Sequence, residues 1–444
     1  MAGGIFFSQN KRRPGAYINF KKKGEELNLN SSRGIVAVGL DLDWGAEGEL
    51  INVSASDMVE GKSLAKVGLM TGDEKARILN LILTNATIAK VYKLNKGGNK
   101  ATGTIGTNLM ATAKYPGLFG NKIAILVKQD DSVYEVETYA DGYLVDTQRV
   151  TKIADLTEND FVTFSGNGDL EEISTSKLLT GGTNGETTAA TAYKEMFELL
   201  KMNKWQTIAI CNNAEAINPL IPDFIRKMRD VEGKYVQAVV ANYDGADYEG
   251  IINNVNGVVI NGKEISAVEF TAYVAGLTAG ASYTESNTGK VIEGATAIIG
   301  QLDNEEIISG LKTGKFILSA NQDGSIKVEQ DINSLHNYTD ELDYNFTKNR
   351  VIRVLDEIGT SIQTIWETTF LGKVSNNADG RDLFKSQIST YLHNLQNQGA
   401  IRDFGGSEDI RVAAGDNIDA VVAEIAVKPV DSMEFLYLTV NVSE

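Results

Sequence analysis

The side chains that could do chemistry are few in this sequence and lie far apart along it. The two histidines, His336 and His393, have no cysteine or second histidine at the spacing of a metal site. The single cysteine, Cys211, ends an apolar run over residues 206–211, where a thiol behaves as a small hydrophobe rather than as a nucleophile. These residues predict neither a catalytic centre nor a metal site.

Acidic and glycine-rich stretches are the other candidates for a ligand site. The densest acidic cluster consists of Asp41, Asp43, Glu47 and Glu49. It could bind calcium weakly, but it lacks the residue order of a calcium-binding loop and the glutamate that closes one. The stretch 310–315 has one residue too few between its glycines for a phosphate-binding loop, and Phe316 follows where Ser or Thr is required. A solvated loop and a turn are the better interpretations, so we expect no cofactor.

Composition and charge narrow the classes of function further. The chain has 444 residues, of which 42% are apolar and 23% charged, and its net charge is −17. The length suggests about three folded domains. A nucleic-acid-binding protein would show a basic domain, so we expect no nucleic-acid partner. One cysteine excludes an intrachain disulfide, and the sequence shows neither an export signal nor a run long enough for a membrane span.

Hydrophobic periodicity predicts the elements that would have to position any site. Residues 87–180 contain short strand-like pieces separated by Asn, Asp and Gly turns, at the spacing of a β-sandwich or barrel. Residues 206–241 read as strand, helix and strand, which predicts a parallel sheet with helices outside it. Two amphipathic helices follow, over residues 351–370 and 381–398. The predicted fold class is a multidomain α+β and α/β protein with an inserted β-sandwich-like domain, a core with a partly parallel sheet and a C-terminal α+β domain.

The two ends of the chain read as extended arms. Residues 430–444 alternate with period two, which predicts a β-strand. Residues 1–23 read as two short extended pieces joined by the turn dipeptide Pro14-Gly15. The first 23 residues carry six basic and no acidic side chains, whereas the stretch after Pro429 carries three acidic and no basic ones. This opposite charge favours two ends that meet in one sheet.

A terminal strand has no hairpin partner, so it must join a sheet in its own subunit or in another one. The sequence leaves both interpretations open at this point. Gly24 with its polar neighbours, and the region around Pro429, have the composition of flexible linkers. The stretch 181–185, Gly-Gly-Thr-Asn-Gly, is predicted to be a flexible boundary as well.

Short stretches along nearly the whole chain carry a family likeness. They are Arg13-Pro-Gly-Ala-Tyr-Ile18, Arg33-Gly-Ile-Val36, Gly120-Asn-Lys-Ile123, Gly181-Gly-Thr-Asn-Gly185, Asp331-Ile-Asn-Ser-Leu335, Asn349-Arg-Val-Ile-Arg-Val-Leu-Asp356, Leu371-Gly-Lys-Val374 with Asn377-Ala-Asp-Gly-Arg381, and Pro429-Val-Asp-Ser-Met-Glu434. By their order and spacing together, the chain resembles the contractile-tail sheath proteins of bacteriophages and phage-like particles, in particular the short sheath subunits of the PBSX type.

This resemblance implies a structural subunit rather than an enzyme. Such subunits stack in six-fold rings around a tail tube and contract to drive the tube through the host envelope, and their terminal arms complete β-sheets in neighbouring subunits. The arm contacts implied in this sequence are Arg13, Pro14, Tyr17, Ile18, Phe435, Leu436, Tyr437, Leu438 and Val440. The resemblance also implies a helix that faces the tube, for which Arg381 and Lys385 are the candidates.

Pattern and resemblance together predict six segments. They are an N-terminal arm (1–27), a first core segment (28–86), an inserted outer β domain (87–180), the α/β core (181–345), a tube-facing domain (346–428) and a C-terminal strand arm (429–444). The implied partners are further copies of the chain, the tail tube, the baseplate and the tail terminator. The implied location is a virion tail assembled in the bacterial cytoplasm, in either a phage or a tail-like bacteriocin.

Two other classes of function remain as alternatives. The strand–helix–strand unit over 206–241 is compatible with an α/β enzyme, although no phosphate loop or catalytic base accompanies it. A surface or adhesion protein with a β domain is opposed by the missing export signal.

Overall fold

The computed structural model describes residues 2–4, 15–17, 33–187, 189–212, 216–340 and 342–442. In the first two of these ranges the backbone alone is described, as strands β1 (Ala2–Gly4) and β2 (Gly15–Tyr17), which pair in parallel. The predicted arm residues Arg13, Pro14 and Ile18, and the predicted linker at Gly24, lie outside the described residues.

The first part of the core precedes an all-β unit. It contains β3 (Ile35–Leu40), β4 (Leu50–Ser54), α1 (Ala55–Val59), α2 (Ser63–Val67), α3 (Arg77–Leu83) and β5 (Ile88–Lys93). The run Ile35–Leu40 is apolar along its length, and four of its six residues are buried. A strand with both faces buried has this sequence character.

The all-β unit lies between β5 and the next helix. Its strands are β6 (Thr102–Ile105), β7 (Leu109–Ala113), β8 (Ile123–Asp130), β9 (Val133–Ala140), β10 (Tyr143–Val150), β11 (Val162–Gly166) and β12 (Lys177–Leu178). They form one sheet in the order β10-β9-β8-β12 and another in the order β11-β7-β6. Both sheets contribute to a single apolar cluster, into which Trp44 of the core also packs. β5 lies within the range predicted for the β domain, but it pairs with β3 and β4 of the core.

The second part of the core alternates helices and strands. It contains α4 (Ala189–Lys201), β13 (Thr207–Ala209), α5 (Leu220–Arg226), β14 (Gln237–Ala241), β15 (Ile251–Asn254), β16 (Gly257–Ile260), β17 (Lys263–Ile265), α6 (Ala267–Gly280), β18 (Ala295–Ile299), α7 (Asn304–Lys312), β19 (Lys315–Phe316), β20 (Leu318–Ala320) and β21 (Ile326–Val328).

A seven-stranded sheet joins the two parts of the core, in the order β19-β15-β14-β13-β3-β5-β4. All of its pairs are parallel except β4 with β5. Helices α3 and α6 cover one face of the sheet, and α4 and α5 cover the other. The predicted partly parallel sheet with outer helices is therefore confirmed.

The C-terminal region is built on two long helices. They are followed by short strands: α8 (Asn349–Ile365), α9 (Ala378–Asn397), β22 (Ile401–Arg402), β23 (Ile410–Ala414), β24 (Val421–Ile425) and β25 (Lys428–Pro429). A π-helical turn, Trp366–Phe370, extends α8, and the aromatic rings of Trp366, Phe370 and Phe384 pack together between the two helices. Among the described helices, none combines the length and apolarity needed to cross a bilayer.

The strand predicted over residues 430–444 does not form within the subunit. Residues 430–442 form neither a helix nor a paired strand, and residues 443 and 444 lie outside the described part of the chain. The pattern of a strand is present, but the described chain supplies no neighbouring strand to complete it.

Candidate functional site

The free C-terminal tail, residues 435–442, is the most exposed apolar segment in the described chain. Its large apolar side chains are each at least 68% exposed: Phe435, Leu436, Tyr437, Leu438, Val440 and Val442. Contiguous exposed apolar side chains of this kind mark a surface that another molecule covers. An extended segment with free backbone groups can also add to the edge of a sheet.

The root of the tail, residues 428–434, is held firmly on the subunit. Lys428 and Pro429 pair with Arg402 and Ile401, and the Val430 N–H donates to the Ala400 carbonyl at 2.9 Å. Pro429, predicted to lie in a flexible linker, is therefore part of a short two-stranded sheet. The tail becomes free only a few residues later.

Glu434 occupies a buried polar pocket at the end of this root. Its carboxylate accepts hydrogen bonds from Thr288 Oγ1 (2.7 Å), Gln330 Nε2 (2.7 Å) and Lys348 Nζ (2.5 Å). The side chains of Glu434 and Lys348 are each 6% exposed. Burial alone would lower the pKa of Lys348, but the hydrogen bond and charge of Glu434 outweigh it, and the pKa is raised. Lys348 is therefore held charged against Glu434.

The pocket of Glu434 is connected to the core by further buried polar contacts. The Thr288 hydroxyl accepts from the Asp331 N–H at 2.8 Å, and Asp331 forms a buried ion pair with Arg353 of α8 at 2.8 Å. Asn349 donates to Asp331 at 2.9 Å and accepts from Gln237 of β14 at 3.2 Å. Burial would raise the pKa of Asp331, but Arg353 and the neighbouring donors lower it overall.

A groove follows the outer side of α8 at the opposite end of that helix. One cavity of about 440 Å³ has an aromatic floor of Trp366, Phe370 and Phe384 and reaches Ile418 and Val421. A second cavity, of about 370 Å³, shares Trp366, Phe384 and Val421 with the first and extends toward the start of α8. We call these two continuous cavities the α8 trench.

The hairpin of β23 and β24 borders the α8 trench through Val421. The two strands pair only with each other within the described residues, so the outer edge of each carries unpaired backbone groups. Residues 406–427 contain five acidic side chains and one basic side chain, Arg411. The hairpin is thus an acidic sheet with two open edges beside an aromatic groove.

The two predicted tube-facing cations lie on the side of α9 rather than on its most exposed face. Arg381 is half-buried, lines the trench and donates from Nη1 to Asn376 Oδ1 at 2.9 Å. Lys385 is half-buried as well. The exposed side chains of α9 are mostly uncharged: Ala378, Asp379, Asp382, Leu383, Ser386, Gln387, Thr390, His393, Asn394 and Asn397.

The chemical candidates from the sequence have protein partners. Asp43 contacts Lys75 and Asn184, and Asp41 accepts from Thr187, so part of the acidic cluster holds the all-β unit to the core. Burial raises the pKa of the Cys211 thiol to about 12, which keeps it protonated near neutral pH. No group of three or more His, Cys, Asp or Glu side chains in the described ranges could hold a metal ion.

The buried pocket of Glu434 and the α8 trench are not predictable from the sequence. Thr288 and Gln330 lie 146 and 104 residues from Glu434, so no local spacing could reveal their contact. Trp366 lies within the amphipathic helix predicted over residues 351–370, but its role in lining a groove depends on Ile418 and Val421, which are distant in sequence.

Comparison with known proteins gives matches along nearly the whole chain. Family models match as the phage tail sheath protein beta-sandwich domain (residues 96–184), the phage tail sheath protein central domain (186–334) and the phage tail sheath C-terminal domain (341–443). The phage-like element PBSX protein XkdK of Bacillus subtilis (strain 168) is 33% identical, with 100% of each chain covered.

Solved structures agree with these matches. The sheath tail protein DSY3957 of Desulfitobacterium hafniense is 39% identical, with a TM-score of 0.81 over 94% of this chain and 97% of that one. The contracted helical sheath of the anti-feeding prophage is 11% identical, with a TM-score of 0.57 over 97% and 99% of the two chains. That second likeness concerns the fold alone.

Proposed function

Since this chain belongs to the phage tail sheath protein family, we propose that its copies stack in six-fold rings around a tail tube and contract to drive that tube through the host envelope. Members of the family are structural sheath proteins, so the α/β enzyme considered from the sequence is not favoured. The shared fold with a contracted helical sheath supports the contractile character.

The observation that carries the proposal is the free C-terminal tail. Its apolar side chains alternate as in a strand, yet all of them are exposed in the single chain. In our proposal these residues, Phe435, Leu436, Tyr437, Leu438 and Val440 among them, become one strand of a sheet in a neighbouring subunit. Main-chain hydrogen bonds then connect the subunits, and alternate side chains fill pockets of the acceptor.

The hairpin of β23 and β24 is the proposed acceptor of the tail. A strand added to the edge of β24 would lie over the α8 trench and cover Trp366 and Phe384. The root of the tail lies at Lys348 and the trench at Trp366, which are 18 helical residues, or about 27 Å, apart along α8. An extended chain covers at most about 3.5 Å per residue, so the subunit's own tail would use about eight of the residues 435–444 to reach the trench and would leave too few to pair with β24. The distance therefore favours a tail from a neighbour.

The N-terminal arm is the proposed second donor. Its implied contact residues are Arg13, Pro14, Tyr17 and Ile18, and the first 23 residues carry six basic side chains. The acidic hairpin, with its second open edge at β23, has the complementary charge. Exchange of both arms would join each subunit to two others.

Helix α9 is the proposed contact with the tail tube, and the all-β unit is the proposed outer domain. Arg381 and Lys385 remain predicted tube contacts, and the exposed Leu383 lies on the same helix. The baseplate and the tail terminator are the proposed partners at the two ends. The proposed location is the virion tail, after assembly in the bacterial cytoplasm.

Contraction would need no nucleotide in this scheme. An extended sheath is metastable, and rotation of the subunits into tighter contact buries more surface and releases the energy stored at assembly. Donated strands keep the subunits connected during the rotation, since the hydrogen bonds of each added strand move with its acceptor.

Electron microscopy of the concentrated protein tests the proposal directly. The full chain should form tubes or stacked rings, and a variant that lacks residues 435–444 should stay monomeric with an unchanged circular dichroism spectrum. A matched control replaces Val59 and Met202, which are exposed elsewhere, with serine and should still form tubes. Tubes from the truncated chain would refute the role of the tail.

A further inference from the structure

Just before the free tail, apolar side chains are exposed and a charged side chain is buried, which is the reverse of what the hydrophobic effect favours. Met433 and Phe435 are exposed, whereas the carboxylate between them, Glu434, is buried with a side-chain exposure of 6%. Removing a carboxylate from water is unfavourable unless hydrogen bonds and an opposite charge compensate it. A built pocket for this carboxylate therefore indicates a specific use for it.

The pocket satisfies Glu434 from several parts of the chain at once. Thr288 donates to Oε1, while Gln330 and Lys348 donate to Oε2. The Lys348 ammonium also lies 5.1 Å from the centre of the Tyr344 ring. Thr288 and Gln330 belong to the core region, whereas Lys348 immediately precedes α8, so Glu434 connects the tail to both at one point.

The contacts behind the pocket lead to the central sheet. Thr288 bonds to the backbone of Asp331, and Asp331 is paired with Arg353 and Asn349 of α8. Asn349 in turn accepts from Gln237 of β14. A pull on the tail would therefore be carried by buried polar contacts into the sheet.

We propose that Glu434 is the positioning residue of the donated tail, which fixes where the tail leaves its subunit and transmits tension from a neighbour to the core. The inference rests on the proposed exchange of tails between subunits. The movable part of the tail begins at Phe435, five residues after the last contact of its root sheet at Val430. A shorter movable segment keeps the tail at a higher effective concentration near its acceptor.

The test uses a double variant of the full chain, Glu434→Ala with Lys348→Met, so that no buried charge is left without a partner. The monomer should remain folded. Tube formation, measured by sedimentation and electron microscopy over a concentration series, should require a concentration higher by roughly tenfold or more, because the longer free segment must be ordered on assembly.

The control for general destabilisation is Ile225→Ala, which creates a cavity at a fully buried position of α5, in an apolar cluster that contains no residue of the tail root or of its partners. Well below its unfolding temperature it should form tubes at the wild-type concentration, although its monomer is less stable. A purely structural role of Glu434 would make the double variant behave like this control, and that result would overturn the inference.

Loss of residues 435–444 separates the two proposals. If that truncation abolishes tubes while the double variant assembles at the wild-type concentration, tail exchange stands and the positioning role of Glu434 is wrong. If the truncated chain assembles normally, the tail is not donated, and the inference falls together with that part of the proposed function.

Discussion

Leu438 offers the sharpest test of how the free tail binds a neighbour. On one side of the alternating tail lie Leu436, Leu438 and Val440, whereas the opposite side includes the polar Thr439 and Asn441. A strand added to a sheet buries one of its sides more than the other. We therefore expect the side of Leu438 to face the acceptor, and the side of Thr439 to remain more exposed.

The expected effect of Leu438→Asp can be worked out from exposure. Leu438 is 73% exposed in the single chain, so the substitution should change the free energy of unfolding of the monomer by no more than about 0.5 kcal/mol. In the assembly it would forfeit roughly 1.5–3 kcal/mol of apolar burial. It would also bury a carboxylate without a partner, at a further cost of about 2 kcal/mol or more.

Together these losses amount to about 3–5 kcal/mol at each contact, which corresponds to a rise of more than a hundredfold in the concentration needed for tubes. The assay is sedimentation of a concentration series, with electron microscopy of the pellet and thermal unfolding of the supernatant. Thr439→Asp is the matched control, because it introduces the same charge one residue away on the opposite side. Equal effects of the two substitutions would refute the assignment of the sides, and normal assembly of Leu438→Asp would refute burial of the tail.

Three further predictions concern the subunit itself. Arg353→Met leaves Asp331 buried without its partner and should lower the free energy of unfolding by about 3–5 kcal/mol in urea denaturation. The control Arg411→Met removes an exposed pair with Glu424 and should change the free energy of unfolding by less than about 1 kcal/mol. Similar losses in the two variants would contradict the reasoning. Gly185→Ala would place a Cβ 1.8 Å from the Lys96 carbonyl oxygen and should destabilise the folded protein by about 1–3 kcal/mol or more. The control Gly72→Ala has open space around the new Cβ and should leave the stability unchanged. The rate of proteolysis of the all-β unit measures the difference. The pKa of Asp331 is lowered in the folded state. The ionised carboxylate therefore stabilises the fold fully above the unfolded pKa near 4, and this stabilisation is lost as pH falls through the lower folded pKa. Asp331→Asn should be less stable than the wild type at pH 7 and lose less stability on acidification, and an unchanged pH dependence would exclude this role.

The secondary structure of the core was predictable because burial gives it a strong periodic signal. The apolar runs at Ile35–Leu40 and Gln237–Ala241 are buried on both faces, and α8 carries its apolar stripe at helical spacing. These patterns depend on neighbours only a few residues away. Sequence alone is sufficient where the determining contacts are local or where a whole face is buried.

The glycine-rich stretch 181–185 shows where composition misleads. It was predicted to be a flexible boundary, but Gly182 and Gly185 pass so close to other backbone atoms that a Cβ would lie 2.5 Å from the Gly117 oxygen and 1.8 Å from the Lys96 oxygen. The glycines allow two chain crossings to pack tightly between the core and the all-β unit. Glycine is required here because two backbone segments approach each other closely, and not because the chain must be flexible.

The terminal tail shows a different limit of sequence reasoning. The alternation over residues 430–444 predicts a strand, but a strand exists only with a partner, and the described part of the subunit provides none. Glu434 could not be singled out at all, because an isolated glutamate has no periodic signature and its partners are distant in sequence. The alternating pattern predicts that the tail can form a strand. The contacts that hold its root on the subunit are visible only in the folded structure.

Each subunit carries both an unfilled groove and an unattached tail. A polymer in which the tail of one copy fills the groove of the next copy therefore has a direction. The contact is between unlike surfaces, so it does not close on itself as a two-fold dimer would. At one extremity the outermost copies present grooves that no tail has reached, and at the other they present tails that have found no groove. The two extremities are chemically different, and a protein that stops growth at one of them cannot be a copy of the protein that starts it at the other.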